Sequence, residues 1–374
     1  MKKKIVIASD SFKGTLSSMD ICHLFQNELK DRDDILPVYV PIADGGEGSL
    51  EAIASVVNGQ YIDTYSTDLY FKTIKSHFYM DDKKNAYIEA ASCVGLTLAN
   101  KDNDPGKVTT FGLGEQIKDA IRNGAKNIYI FLGGSASNDG GVGLAAALGT
   151  RFFDKNDKPF IPMGLTLKDV DHIDNSSTEE LLKNINIIAL SDVQSPFYGL
   201  EGAAYKFAPQ KGASDQEVKL LDDGLKHLAD IIKRDLRIDI SNVPGSGAAG
   251  GLGGGLLAFA NAKISSGINT ILDIVNFDKL ISDADYIISG EGKLDRQTFD
   301  GKVIDGIAKR CEKKHRPLIL LVGISEASLE EVQSMYPCVY SLFETNYKHL
   351  PFEEVKNAAK SDYIKQIRYI LKEI

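Results

Sequence analysis

"NIYIFLGGSASNDGGVGLAAALG", Asn127 to Gly149, passes from a β-branched and aromatic run through a glycine-rich polar loop into a small-residue helical pattern. Glycine weakens a helix or strand interior by roughly 0.5–1 kcal/mol relative to alanine, so its density between two such elements serves something other than their stability. A strand running through a loop into a helix is the repeating unit of an α/β fold. Two roles fit the loop. Exposed backbone N–H groups at a helix start suit a phosphate or another anion. The alternative is close helix packing through "GVGLAAALG". Ser135, Ser137 and Asn138 add neutral hydrogen-bonding groups, and Asp139 adds a candidate metal ligand.

Other segments repeat the pattern. "KKIVIAS", "LPVYVPIA", "NAYIEAA", "INIIALSD", "ADYIISGEG", "PLILLVG" and "CVYSLFE" read as short, mostly buried strands. Helical patterns lie between several of them. Ser17 precedes one with Ile21, Leu24, Phe25 and Leu29 on a single face, "FGLGEQIKDAIRNGA" ends on a glycine stop, and "DQEVKLLDDGLKHLADIIKRDL" is long and amphipathic. Strands alternating with helices predict mostly parallel sheet. The segment from about 153 to 184 reads as a polar, irregular surface excursion.

The chain has 374 residues, 43% hydrophobic and 25% charged, with a net charge of -9. That length predicts two domains. The first and last strands are expected to share a sheet: residues 1–70 with 285–374 form a discontinuous Rossmann-like domain, and 71–284 an inserted second one. The acidic balance argues against a nucleic-acid partner. The 4 cysteines and 6 histidines are scattered, without CxxC or HExxH spacing. The apolar run Ile5–Ala8 is too short for a signal peptide, and no run approaches the roughly 20 residues of a membrane span. A cytoplasmic protein with no membrane partner is expected.

No GxxxxGK[ST], kinase HRD or DFG, or GxSxG motif occurs, which excludes a P-loop NTPase, a protein kinase and a nucleophile elbow. "PGSGAAGGLGGG" (Pro244–Gly255) contains GxGxxG at Gly245, Gly247 and Gly250. The first acid downstream is Asp273 and no clear strand precedes it, so it is not a dinucleotide fingerprint. Close backbone approach to a ligand and tight helix packing both account for it. Three lysines lie in polar loops of this kind: Lys13, Lys211 and Lys293. So do Asp10, Asp44, Glu47, Asp139, Asp192, Glu291 and Asp295. Lysines neutralise a transferring phosphate, while acids hold Mg²⁺ or accept a proton from an attacking hydroxyl. Caps and turns use aspartate as well. The residues themselves point to phosphoryl transfer or to binding of a phosphorylated anion, and no further.

At these residues the chain resembles the type I glycerate kinases. The blocks are "DSFKGTLS" (Asp10–Ser17), "PIADGGEGS" (Pro41–Ser49), "GGSASNDGGVGLAAALG" (Gly133–Gly149), "DVQSPFYGLEGAAYKFAPQKGA" (Asp192–Ala213), "PGSGAAGGLGGG" and "GEGKLDRQTFDGK" (Gly290–Lys302), in order over nearly the whole chain. Ser195-Pro196-Phe197 stands where the family usually has Asn-Pro-Leu, and Ala208 where glycine is frequent. The resemblance implies two α/β domains, one Rossmann- or flavodoxin-like with a parallel sheet and one with a mixed sheet. It implies phosphorylation of D-glycerate by ATP with Mg²⁺, 2-phosphoglycerate being the favoured product. The catalytic candidates are Asp192, Asp44, Lys13 and Lys293. Asp192, at a strand end that fixes a carboxylate, is the first choice of base and Asp44 the second. Ser11, Gly45, Gly46, Glu47, Gly133, Gly134, Ser135, Ser137, Asn138, Gln210, Lys211, Gly245, Gly247, Glu291, Gln297 and Lys302 are expected at substrate or nucleotide, and Asp10, Asp139 and Asp295 at the metal. A kinase for another hydroxy acid and a non-catalytic binding protein on the same fold are the competing readings.

Overall fold

The computed structural model describes residues 2–12, 14–43, 45–46, 48–299, 301–345 and 351–374, without the side chains of Arg296, Gln297 and Phe352. The strands are β1 (Lys3–Ile7), β2 (Ile35–Tyr39), β3 (Gly59–Thr67), β4 (Thr73–Asp81), β5 (Asn85–Glu89) and β6 (Asn127–Phe131). They continue as β7 (Arg151–Phe153), β8 (Pro159–Phe160), β9 (His172–Asp174), β10 (Asn186–Leu190) and β11 (Lys263–Ser265). Last come β12 (Tyr286–Ser289), β13 (Lys293–Leu294), β14 (Leu318–Val322), β15 (Ile324–Ser325) and β16 (Val339–Glu344). The chain divides into two compact units. One comprises Met1–Asp44, Glu51–Val57 and Ser266–Ile374, the other Gly45–Leu50 and Asn58–Ser265.

The first unit carries a five-stranded sheet in the order β16-β14-β12-β1-β2, parallel throughout. β1 and β12, expected to share a sheet, pair directly, with Ile7 opposite Ile288. Every residue of β14 is buried, as a parallel strand covered on both faces requires. Numbered within this unit, the order is 2-1-3-4-5, the flavodoxin-like arrangement, whose ligand crevice lies at the carboxyl ends where the winding reverses. Here that is the β1/β12 junction. Ile5, Ile7, Ile288, Ile319 and Leu321 share a core with the helices Ser18–Leu29 and Phe352–Glu373. A capping box starts the first of these. Asp20 N–H donates to Ser17 Oγ at 3.0 Å and Ser17 N–H to Asp20 Oδ2 at 2.9 Å.

The second unit carries a mixed six-stranded sheet, β11-β10-β6-β5-β4-β3. β11, β10, β6 and β5 are parallel, and β4 and β3 add an antiparallel edge. The helix Asp215–Asp235 starts on a Ser214–Glu217 capping box and buries Val218, Leu221, Leu225, Leu228 and Ile232 on one stripe. The segment from 153 to 184 is not irregular. β7 pairs antiparallel with β8 and β9, and a helix covers Ser176–Leu182. Phe152, Leu167, Val170 and Ile173 anchor it in the core.

Candidate active site

In the second unit the carboxyl ends of β6 and β10 open into the loops that begin at Leu132 and Ser191. The loop after β6 is fixed along its backbone. Ala136 N–H donates to Val94 O at 2.9 Å and Asn138 N–H to Pro105 O at 3.0 Å. Asn103 Nδ2 donates to Ala136 O at 3.3 Å, and Lys211 Nζ to Ser137 O at 2.7 Å. Ser135 and Ser137 are buried with their hydroxyls 3.0 Å apart. Asn138 is fully enclosed, and neither amide atom meets a hydrogen-bond partner within the described residues. Such a group costs about 1–3 kcal/mol when left unsatisfied.

The two glycine-rich stretches turn out to be halves of one construction. A Cβ on Gly250 would lie 2.0 Å from Ser137 O, and one on Gly255 would lie 2.4 Å from Gly140 O. The helix Ala248–Ala260 is interrupted by three successive left-handed residues, Ala249, Gly250 and Gly251, with φ of 54, 73 and 86°. Ala249 there stores about 1–2 kcal/mol of strain. Ser246, next to this turn, is buried with its hydroxyl unpartnered among the described residues. Gly133 packs so closely on the loop containing Gly45 and Gly46 that a Cβ would come 2.5 Å from Gly46 Cα.

Asp139 and Lys211 are both buried. The Asp139 carboxylate receives Thr110 N–H and Oγ1–H at 2.8 Å each, Gly141 N–H at 3.0 Å and Gly143 N–H at 3.3 Å. Burial raises its pKa, and these donors oppose the rise. Burial pushes the Lys211 ammonium down to about 7, against the pull of the Asp139 charge. Gln210, its neighbour, is exposed. Gly245 and Gly247 are buried beside the loop after β10, where Gly247 N–H donates to Ser195 O at 3.0 Å. Asp192 follows β10 and is half-buried.

In the first unit the β1/β12 junction gathers a second set. Asp10 N–H donates to Gly290 O at 2.9 Å, and Ser11 N–H to Asp10 Oδ1 at 2.7 Å. Asp10 and Glu291 are buried. Beyond Glu291 the chain forms β13, parallel to β15. Lys293 Nζ, half-exposed, lies 2.7 Å from Glu326 Oε1 and 3.5 Å from Asp295 Oδ2. Lys302 occupies the N-cap position of the helix Val303–Lys314 without a side-chain capping hydrogen bond. Lys13, Asp44 and Glu47, and the side chain of Gln297, lie outside the described residues. Three residues that sequence reasoning passes over take part in the second unit: Asn103, Thr110 and Ser246. The polar, turn-forming run "KDNDPGKVTT" (Lys101–Thr110), just ahead of a helix, was the available signal for the first two.

Among the described residues no three His, Cys, Asp or Glu side chains converge as a metal cage. Asp10 and Asp295 supply carboxylate oxygens of the kind that would hold a Mg²⁺ whose remaining positions are filled by phosphate and water. A parallel sheet in one unit and a mixed sheet in the other, each with acids, lysines and small polar residues in loops at carboxyl strand ends, fit an α/β enzyme. The chain belongs to the glycerate kinase family, whose model it matches over residues 5–373. It is 40% identical to a glycerate kinase of Bacillus cereus (strain ATCC 10987 / NRS 248) over 86% of this chain and 85% of the relative. It is 39% identical to the glycerate 2-kinase of Escherichia coli (strain K12), with the same coverages. A crystal structure from Salmonella typhimurium LT2 that carries the name glycerate kinase 2 superposes with a TM-score of 0.84 at 32% identity, covering 99% of this chain and 97% of that one.

Proposed function

We propose that the chain phosphorylates D-glycerate on its 2-hydroxyl, with ATP as donor and Mg²⁺ bound at the phosphates. The observation that carries this reading is the Ser135–Asn138 loop. Two hydroxyls 3.0 Å apart and an amide with neither end hydrogen-bonded within the described residues form a compact neutral polar set, which suits a small polyoxygenated anion better than a large one. Kinship with a glycerate 2-kinase supports the regiochemistry. Mg²⁺, when bound, neutralises the phosphate oxygens and holds them in line. Asp10 and Asp295 are its protein-side partners. Asp139 we assign to shaping the loop rather than to the metal, because its carboxylate already accepts the N–H groups of Thr110, Gly141 and Gly143.

Free alkoxide is scarce at neutral pH, and Asp192 accepts the hydroxyl proton as the new bond forms, the role of the catalytic aspartate in other kinases. Asp44 is the second choice of base. Lys293, with Lys13, stabilises the charge spread over the transferring phosphoryl oxygens. To do so it exchanges its pairing with Glu326 and Asp295 for the phosphate. Ser11, Glu47, Glu291, Gln210, Gln297 and Lys302 are assigned to substrate or nucleotide. The protein acts in the cytoplasm on a small molecule, and no helix of the described residues is long and apolar enough to cross a membrane. We further propose that the discontinuous and inserted segments are separate folding domains, which limited proteolysis tests.

The enzyme is incubated with ATP, MgCl₂ and D-glycerate, ADP is followed, and the product is identified by phosphorus and carbon NMR. ADP release with phosphorus coupled to C2 is expected. Phosphorus on C3 would overturn the regiochemistry. No D-glycerate-dependent ADP would overturn the substrate, and the same assay over other hydroxy acids would identify the competing kinase reading.

A further inference from the structure

The backbone carbonyl of Ser137 has two close neighbours. Lys211 Nζ donates to it at 2.7 Å. The Gly250 backbone approaches so closely that a Cβ there would lie 2.0 Å from the oxygen. Lys211 is only 4% exposed. Its own carbonyl accepts Asn103 Nδ2 at 2.8 Å, and the same amide reaches Ala136 O. Lys211 and Asn103 thus clasp two consecutive carbonyls, while the N–H groups of Ala136 and Asn138 are spent on Val94 and Pro105. The backbone from 136 to 138 is tied at two carbonyls and two N–H groups. The loop it holds carries the side chains of Ser135, Ser137 and Asn138.

Burial of an ammonium is unfavourable, and the Lys211 pKa of about 7 registers it. Methionine would fill much the same volume without that penalty. A merely structural role therefore does not account for a lysine here. Its Nζ donates to the Ser137 carbonyl at 2.7 Å, a role distinct from the phosphate contact that its glycine-flanked position in the sequence suggests.

We propose that Lys211 is a positioning residue, its ammonium fixing the Ser137 carbonyl and thereby the aim of Ser135, Ser137 and Asn138 at a small anionic substrate, without touching that substrate itself. The proposal rests on reading this loop as the glycerate-binding element. Sequence gives no access to it, because Asn103 and Lys211 are 108 residues apart.

The test uses the full chain as wild type, Lys211→Met and Lys211→Arg, with steady-state kinetics and hydrogen exchange by mass spectrometry. In Lys211→Met, amide exchange should quicken by about tenfold or more in peptides spanning 133–141 and stay unchanged elsewhere. The KM for D-glycerate should rise by about tenfold or more and the KM for ATP should stay within about twofold. Lys211→Arg, which keeps a charged donor, should recover part of both changes. Unchanged exchange in 133–141 overturns the proposal. So does a fall in kcat of about 10²-fold with both KM values unchanged, which would put Lys211 on the phosphoryl group. Should Lys211→Met fail to fold, Asn103→Ala removes the other half of the clasp and must give the same loop and KM changes; their absence overturns the proposal equally. Exchange needs no turnover, so a wild type inactive on D-glycerate refutes the substrate reading alone.

Discussion

Asp139 receives both the backbone N–H and the hydroxyl of Thr110, each at 2.8 Å. One carboxylate thereby ties the start of the helix Phe111–Arg122 to the loop after β6. Its other oxygen takes Gly141 N–H. In Asp139→Asn, whichever way the amide turns, its NH₂ confronts a donor. Folding stability should fall by about 2–4 kcal/mol, the range for a broken buried network, as read from urea denaturation. Unchanged stability with weakened Mg²⁺ dependence would instead restore Asp139 as a metal ligand.

Lys211 sets a pH dependence of stability. Its folded pKa is about 7, against an ordinary 10.5. Between those values the unfolded chain binds one proton more than the native one, so stability rises with pH across that window. Below it both states are protonated and the native state bears the whole penalty, on the order of 5 kcal/mol at 1.36 kcal/mol per unit. The lost bond to Ser137 O offsets about 1–3 kcal/mol of the relief on substitution. Lys211→Met should therefore be more stable than wild type at pH 6, with the difference shrinking towards pH 10. Guanidinium midpoints across that range decide it, and a variant less stable at pH 6 contradicts the account.

Gly250→Ala and Gly199→Ala separate backbone strain from collision. Both positions have positive φ, 73 and 94°, but Gly199 faces open space while Gly250 abuts Ser137 O. Gly199→Ala should cost about 1–2 kcal/mol, and Gly250→Ala more, about 3 kcal/mol or above, through strain and overpacking together. Equal thermal shifts for the two would show that the turn over Ser137 relaxes freely.

Two substitutions address the chemistry. Asp192→Asn keeps the shape and removes the charge. It should fold normally, retain ATP affinity and lose most of kcat. Retained kcat would pass the base role to Asp44, and lost metal–nucleotide affinity would make Asp192 a Mg²⁺ ligand. Lys293→Ala should lower kcat by about 10²-fold, the typical loss when one transition-state charge partner is removed. Single-turnover measurements separate this from slower product release.

The framework was legible because its strands are short apolar runs: "KKIVI", "NIYIF", "NIIAL" and "LILLV" all lie where they were read. The β3–β4 hairpin was not read. Its edge strand "GQYIDTYST" mixes tyrosine, aspartate and threonine and is mostly exposed, so no apolar run announces it. Strands of two or three residues hid the small β8-β7-β9 sheet for a similar reason. In the site, residue types were legible but directions were not. Lys211 and Lys293 occupy similar glycine-bearing loops. One points into the protein onto a carbonyl, and the other lies half-exposed between Glu326 and Asp295. Only tertiary packing separates those outcomes.

The direct pairing of β1 with β12 also bears on how the chain can assemble. Ser9 and Gly290 share a hydrogen bond across 281 residues of chain. During synthesis β1 and β2 leave the ribosome long before β12, β14 and β16 exist. The unit containing Asn58–Ser265 is nearly contiguous, so its sheet can close first. In doing so it holds β3 and β11 at opposite edges, five strand spacings or roughly 24 Å apart at ~4.8 Å each. A long floppy loop becomes a short rigid spacer, and the closure entropy that the last-formed sheet must overcome falls accordingly. β1 and β2 are thus made before their partners β12, β14 and β16, and until those arrive they are apolar strands in want of a neighbour, the stage at which such a chain is most exposed to aggregation.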